Sequence, residues 1–248
     1  MRLKLTIEYD GTGFHGWAAQ PGLRTVEGAL RDAFDAVFPS WSGLAVAGRT
    51  DTGVHALANV TSLDVEGGPS VDRVAEALNT ALAEDVAVIV AEEVAPDFHA
   101  RHSARSRSYR YRIWRPRIRS AFEHRRAWWL SKPLDLGGLQ AGAASVLGEH
   151  DFRAFTPTET QHEVFRRNVL AAEWHERGDV LVFEITADSF LRHMVRTLVG
   201  TMVDGIAVGP LLDGGLRSEA GQTAPSRGLY LVSVDYASPE GARTTPPQ

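Results

Sequence analysis

The order in which apolar residues change their period along this chain limits its fold more than any other feature. In a strand successive side chains point to opposite faces, so burial recurs every second residue; in a helix it recurs every third or fourth. Residues 3–9, 43–47, 57–65 and 86–94 carry alternating or β-branched apolar residues between turn signals and read as strands. Residues 25–38 and 70–84 read as helices, the second with Ser70 at its cap and Val71, Val74, Ala75, Leu78 and Leu82 along one face. The order is β-α-β-β-α-β, a ferredoxin-like unit. A second pass follows: strand 107–115, helix 135–147, strands 164–175 and 179–187, helix 189–204 and strand 229–235, with an additional strand near Trp128 to Leu130. The two passes share element order but no sequence self-similarity. They predict an α+β protein of two ferredoxin-like halves, 1–100 and 101–237, forming a continuous, mainly antiparallel sheet with a cleft across it. The proline-bearing tail 238–248 reads as disordered.

A chain of 248 residues with 44% hydrophobic and 23% charged residues has enough apolar material for such a core. It contains no cysteine, which excludes disulfides, thiol nucleophiles, iron–sulfur clusters and cysteine-bearing zinc sites. No run of 18 or more apolar residues occurs, so no segment reads as a membrane span. Met1 to Tyr9 alternates like a strand and lacks the features of a signal peptide. The expected location is the cytoplasm.

The net charge of −5 conceals an asymmetry. From Arg101 to Lys132 there are ten arginines and one lysine against a single acid, Glu123, a local net of +10. Such a concentration of guanidinium is the footprint of a polyanion, although a solvated basic face has the same composition. Aromatics interleave with these charges. Tyr109, Tyr111 and Ile113 fall on one face of the expected strand and Arg110 and Arg112 on the other. Rings beside guanidinium groups suit RNA, whose unpaired bases stack while its phosphates pair; half-buried strand tyrosines are the plainer reading.

Three further stretches carry candidate chemistry. Gly48-Arg49-Thr50-Asp51-Thr52-Gly53-Val54-His55 lies between two expected strands, where glycines permit sharp turning and close approach of a ligand. The same string would also serve as a tight turn capped by Asp51. In Asp188-Ser189-Phe190-Leu191-Arg192-His193-Met194-Val195-Arg196, Arg192 and Arg196 lie four apart on the flank of an apolar stripe, where a partly buried arginine needs a carboxylate. Gly228-Leu229-Tyr230-Leu231 opens the last strand. His99 and His102 lack an accompanying carboxylate cluster, so phosphate or structural contact reads better than metal.

Taken in order, Glu8-Tyr9-Asp10-Gly11-Thr12 with Phe14, Gly16 and Trp17, the block Gly48 to Ala56, Phe98 to Arg101, Arg107 with Tyr109 and Tyr111, the block Phe190 to Gly200, and Gly228 to Leu231 resemble the TruA family of tRNA pseudouridine synthases over residues 3–236. The resemblance implies an isomerase converting uridine to pseudouridine at positions 38, 39 and 40 of the tRNA anticodon stem and loop. It further implies RNA-recognition-like halves, a homodimer, and no metal or organic cofactor. By the family pattern Asp51 is the catalytic aspartate, Tyr109 the ring packed on the target uracil, and Arg196 the partner that holds Asp51. Arg49 resembles an arginine that assists nucleotide flipping. The remaining substrate-binding candidates in these blocks are Thr50, His55, Arg101, Arg105, Arg107, Tyr111, Leu229 and Leu231. Arg105, Arg107, Arg110 and Arg112 are expected to act on phosphate affinity. Gly205 to Ser226 is shorter and richer in glycine and proline than the corresponding helical connection of the family. Two other readings compete: a non-catalytic tRNA-binding or folding protein, and a metal-dependent hydrolase using Asp51, His55, His99 and His102.

Overall fold

Alternating burial builds the first strand, β1 (Arg2–Tyr9), in which Leu3, Leu5, Ile7 and Tyr9 are at most 2% exposed. The computed structural model describes residues 1–160 and 162–236; the expected disordered tail, 238–248, lies outside the described residues. Helix α1 (Val26–Val37) starts where the Thr25 hydroxyl accepts the Gly28 N–H, and it buries Val26, Leu30, Ala33 and Phe34. Next come β2 (Ser40–Val46), β3 (His55–Glu66), α2 (Val71–Ala81) and β4 (Val86–Glu93). Ser70 holds the cap position of α2, but its hydroxyl makes no capping bond, and the helix ends at Ala81 because Leu82 is already extended. Leu30, Phe34, Val74 and Leu78 pack with the buried side of β1 in a core that continues into the second half. Each such fully buried Leu or Phe contributes about 1.5–3 kcal/mol.

The second half runs β5 (Ala104–Trp114), β6 (Trp128–Trp129), α3 (Leu136–Ser145), β7 (Gly148–Asp151), β8 (Arg166–Arg177), β9 (Val180–Ala187), α4 (Met194–Val203) and β10 (Leu229–Tyr236). The result is a mixed α+β architecture on one ten-stranded, mostly antiparallel sheet, as the alternating periods required. The first-half strands lie in the order β4-β1-β3-β2 and those of the second half in the order β10-β5-β9-β8, the same pattern twice. Two short parallel contacts complete the sheet, β10 on β3 and β6 on β5. One edge of β3 is shared: β2 pairs with it from Thr61 to Glu66, and β10 pairs at His55 and Ala56. The β2–β3 loop therefore leaves the sheet at the seam between the halves.

Two expectations are corrected. The helix expected over 189–204 begins only at Met194, because His193 takes a left-handed conformation (φ 63°), and so Arg192 precedes the helix and does not stack on Arg196. Leu191 is nonetheless 4% exposed: helical spacing reports burial, which a loop can also satisfy. Strand β7 had no apolar alternation to announce it. It is an edge strand held to β8, with Glu149 paired to Arg166 at 2.7 Å.

Candidate active site

The β2–β3 loop is tied down at nearly every residue. The Thr50 carbonyl accepts the Trp17 N–H at 2.9 Å, and the Phe14 carbonyl accepts the Gly53 N–H at 3.3 Å. The Thr50 hydroxyl meets the Tyr9 hydroxyl at 2.8 Å, while Asn59 Nδ2 donates to the Gly48 carbonyl at 2.8 Å and to the Tyr9 oxygen at 3.2 Å. Burial pushes the Tyr9 phenol up to about 12, so it remains protonated. Two glycines make the loop's closeness feasible. A β-carbon on Gly11 would overlap the Val54 carbonyl, and one on Gly48 would stand 3.3 Å from Leu231 Cδ2 and 3.4 Å from the Tyr109 hydroxyl.

From this fixed loop the Asp51 side chain projects, 27% exposed. Arg196 Nη1 lies 3.1 Å from Asp51 Oδ2, and the same guanidinium donates through Nε to the Ala224 carbonyl at 2.8 Å. The Ala224 N–H returns to the Arg196 carbonyl at 3.0 Å, so the Gly/Pro-rich 205–226 segment braces the arginine from both backbone and side chain. Arg196 is 15% exposed, and a guanidinium so far withdrawn from water needs the anion. His193 Nε2 stands 3.4 Å from the same Oδ2. Among the described residues, Asp51 Oδ1 has no partner.

Tyr109 lies beside this carboxylate. Across the sheet Ala56, Leu231, Tyr109 and Ile185 form one register row, so their side chains share a face. Phe190 packs its ring edge-on to Tyr109, with centroids 4.9 Å apart. Burial raises the Tyr109 phenol well above its usual range, with Tyr9 and Asp51 adding to the effect. Its hydroxyl has no hydrogen-bond partner among the described residues.

The remaining candidates divide sharply. Arg49, Arg101 and Arg105 are exposed, and none forms an ion pair among the described residues. Thr50 is a pin of the loop through Tyr9. Leu231 is fully buried beside Gly48 and Tyr109, whereas Leu229 pairs with Tyr111, two residues further along β10.

Three expectations fail on geometry. Arg107 is 8% exposed and donates to the carbonyls of Ala47, Arg101, Ala104 and Asp188 at 2.8–3.4 Å; with its donors committed inside, it cannot meet a phosphate. Tyr111 is fully buried, and its hydroxyl donates to the Pro225 carbonyl at 2.7 Å. His55 is 2% exposed; its Nδ1 accepts the Gly11 N–H at 3.1 Å and its Nε2 faces the Arg125 and Arg227 carbonyls, which makes it a structural hub. Burial lowers its basicity despite Asp10 nearby. His99 Nδ1 accepts the Arg101 and His102 N–H groups.

The arginines on the alternate side of β5 face elsewhere. Arg110 pairs with Glu184 at 2.8 Å and Arg112 with Glu123 at 2.9 Å. They line a cavity of about 530 Å³ across the seam with His55, Tyr230 and Arg126, and Asp51 and Arg196 are not among its walls. The carboxylate thus lies outside this cavity, near Tyr109, whose ring shares the other face of the sheet with Leu231. Reading by motif passed over Phe190, Asn59 and His193. The first and last stand inside the same block as Arg196, while only packing reveals Asn59.

A carboxylate held by a guanidinium beside a buried aromatic, on the seam of a doubled antiparallel sheet, defines a class of site suited to work on a stacked ring. Residues 5–103 and 143–237 match the family described as tRNA pseudouridine synthase. The tRNA pseudouridine synthase A of Legionella pneumophila (strain Corby) is 40% identical over 246 residues, covering 95% of this chain and 93% of that protein. Those of Moorella thermoacetica and Methylobacterium nodulans are each 40% identical, over 94% and 99% of this chain and 99% of each relative. Among solved structures, a crystal structure of a Cbf5-Nop10-Gar1 complex aligns over 92% of this chain and 57% of that chain, with a TM-score of 0.35 and 11% identity. The chain belongs to the tRNA pseudouridine synthase family.

Proposed function

We propose that this chain isomerises uridine to pseudouridine at positions 38, 39 and 40 of the tRNA anticodon stem and loop, with Asp51 as the reacting carboxylate. The observation that carries the reading is the Asp51–Arg196 contact of 3.1 Å beside Tyr109, in a chain of this family. The reaction breaks the bond from C1′ to N1, turns the uracil, and joins C1′ to C5; N1 gains a proton and C5 loses one, so composition is unchanged. Asp51 acts either as a nucleophile at C1′ or as a base toward the C2′ proton. Both need an ionised carboxylate away from bulk water, which the Arg196 guanidinium sustains.

The target base leaves its stack at a cost of a few kcal/mol, partly returned by packing on Tyr109. Leu231 closes the slot behind the detached ring. Exposed Arg49, Arg101 and Arg105 supply phosphate contacts. The reading comprises an N-terminal half (1–100) carrying the Asp51 loop and a C-terminal half (101–237) carrying Arg196, working as a homodimer in the cytoplasm without metal or organic cofactor. Incubation with an unmodified tRNA transcript, followed by mapping of pseudouridine, tests it. Pseudouridine confined to positions 38–40 is expected; a transcript that is bound but left unmodified would point to a tRNA-binding protein instead.

A further inference from the structure

His193 is the one non-glycine residue with positive φ among the described residues (φ 63°, ψ −3°). It occupies the cap position of α4, yet its side chain makes no capping bond. Asparagine or glycine would take this backbone conformation more readily, and serine, threonine, aspartate or asparagine would cap better. Histidine tolerates this backbone conformation better than most side chains, and the turn it makes brings its ring toward Asp51. Its Nε2 is 3.4 Å from Asp51 Oδ2, the oxygen that Arg196 also holds, while Oδ1 has no partner among the described residues.

We infer that His193 is a positioning residue for Asp51: its imidazole stands against Oδ2 together with Arg196 and leaves Oδ1 to face the ribose. The inference rests on the reading of Asp51 as the reacting carboxylate. The charged groups facing the ring are Asp51, Arg196, Arg192 and Arg217. Burial, reinforced by the three guanidinium groups and opposed by Asp51, holds the imidazole below its usual range, so it is uncharged near pH 7. A neutral ring has one N–H, and the tautomer that carries it on Nε2 places that donor on the nitrogen 3.4 Å from Oδ2. This arrangement orients the acid without placing a second full cation on it. Protonation in acid would add that cation and weaken Asp51 as nucleophile or base.

Two measurements test the inference. In single-turnover and steady-state assays, His193→Ala is expected to lower kcat by about tenfold or more at an unchanged KM. His193→Gln, which keeps an N–H donor, recovers most of that rate and loses the acid limb of the pH profile. His193→Asn, better suited to the backbone, is expected to match or exceed the wild-type Tm while remaining slow. Wild-type kcat in the Ala and Asn variants would overturn the inference. Independently of turnover, the His193 imidazole can be followed by NMR titration. Asp51→Asn removes the one group raising its basicity and should move its midpoint further down; an unmoved midpoint overturns the contact. A wild-type protein that makes no pseudouridine would refute the proposed function alone, because the titration still decides whether His193 senses Asp51.

Discussion

On one face of the sheet Arg110 and Arg112 lie against Glu184 and Glu123, and Arg177 and Arg126 reach Glu184 and Asp10; toward Asp51, Arg49 and Arg192 stand exposed and form no ion pair among the described residues. An arginine already neutralised by a neighbour has little charge to offer a phosphate. A free one displaces the counterions that RNA carries and gains affinity from their release. The local +10 of residues 101–132 therefore overstates the cationic surface, because strand parity turns some arginines to the paired face and Arg107 inward.

The largest expected effect separates the two ion-pair settings. Arg196→Met leaves Asp51 with His193 alone and should cut kcat by roughly 100-fold or more, whereas Glu184→Gln, which breaks the pair on the opposite face, should leave kcat near wild type. Equal losses in a pseudouridine assay would erase the distinction between the faces. Next comes stability. Arg107→Ala removes four hydrogen bonds to carbonyls, one buried and three part-buried, and should cost on the order of 3 kcal/mol in chemical denaturation. Arg112→Ala, on the half-open face, should cost about 1 kcal/mol or less.

Salt dependence of tRNA affinity gives a smaller but sharper contrast. Removing Arg49, Arg101 or Arg105 should each lower the slope of log K against log salt by about 1. Removing Arg110 should leave the slope unchanged, and a slope that falls equally for all four would show that pairing does not withdraw a charge. The smallest effect is the response to acid. His55 is neutral in the fold because burial lowers its pKa below that of the unfolded chain. The unfolded state therefore binds a proton first as pH falls through about 6.5, and folded stability declines until the folded pKa is reached. His55→Gln should flatten part of that decline in Tm measured between pH 7 and 5.

The period of burial made the sheet and its helices legible, since Leu3, Leu5 and Ile7 or Val74 and Leu78 have only one way to face a common core. Edges were less visible: β7 is polar, and α4 is cut short by the backbone of His193 rather than by any loss of apolar spacing. At the site, the blocks containing Asp51, Tyr109 and Arg196 were readable as strings, and folding brings the three together. The errors share one cause. Arg107, Tyr111 and His55 are residue types that bind RNA when exposed, and the sequence does not state which are buried and spent on carbonyls. Asn59 was silent because it acts on the loop through hydrogen bonds between distant positions, and the block containing Tyr9 gave no sign that its hydroxyl meets Thr50.

The central claim is that the Asp51 carboxylate, held by Arg196, breaks and remakes the sugar–base bond. It is tested most directly with tRNA carrying tritium at C5 of its anticodon-arm uridines, since joining C1′ to C5 expels that hydrogen. The wild-type chain should release the label in step with pseudouridine, and Asp51→Asn should release essentially none while binding tRNA within about tenfold of wild type, a difference of ~1.4 kcal/mol. Tritium release by Asp51→Asn at a rate near wild type would contradict the account.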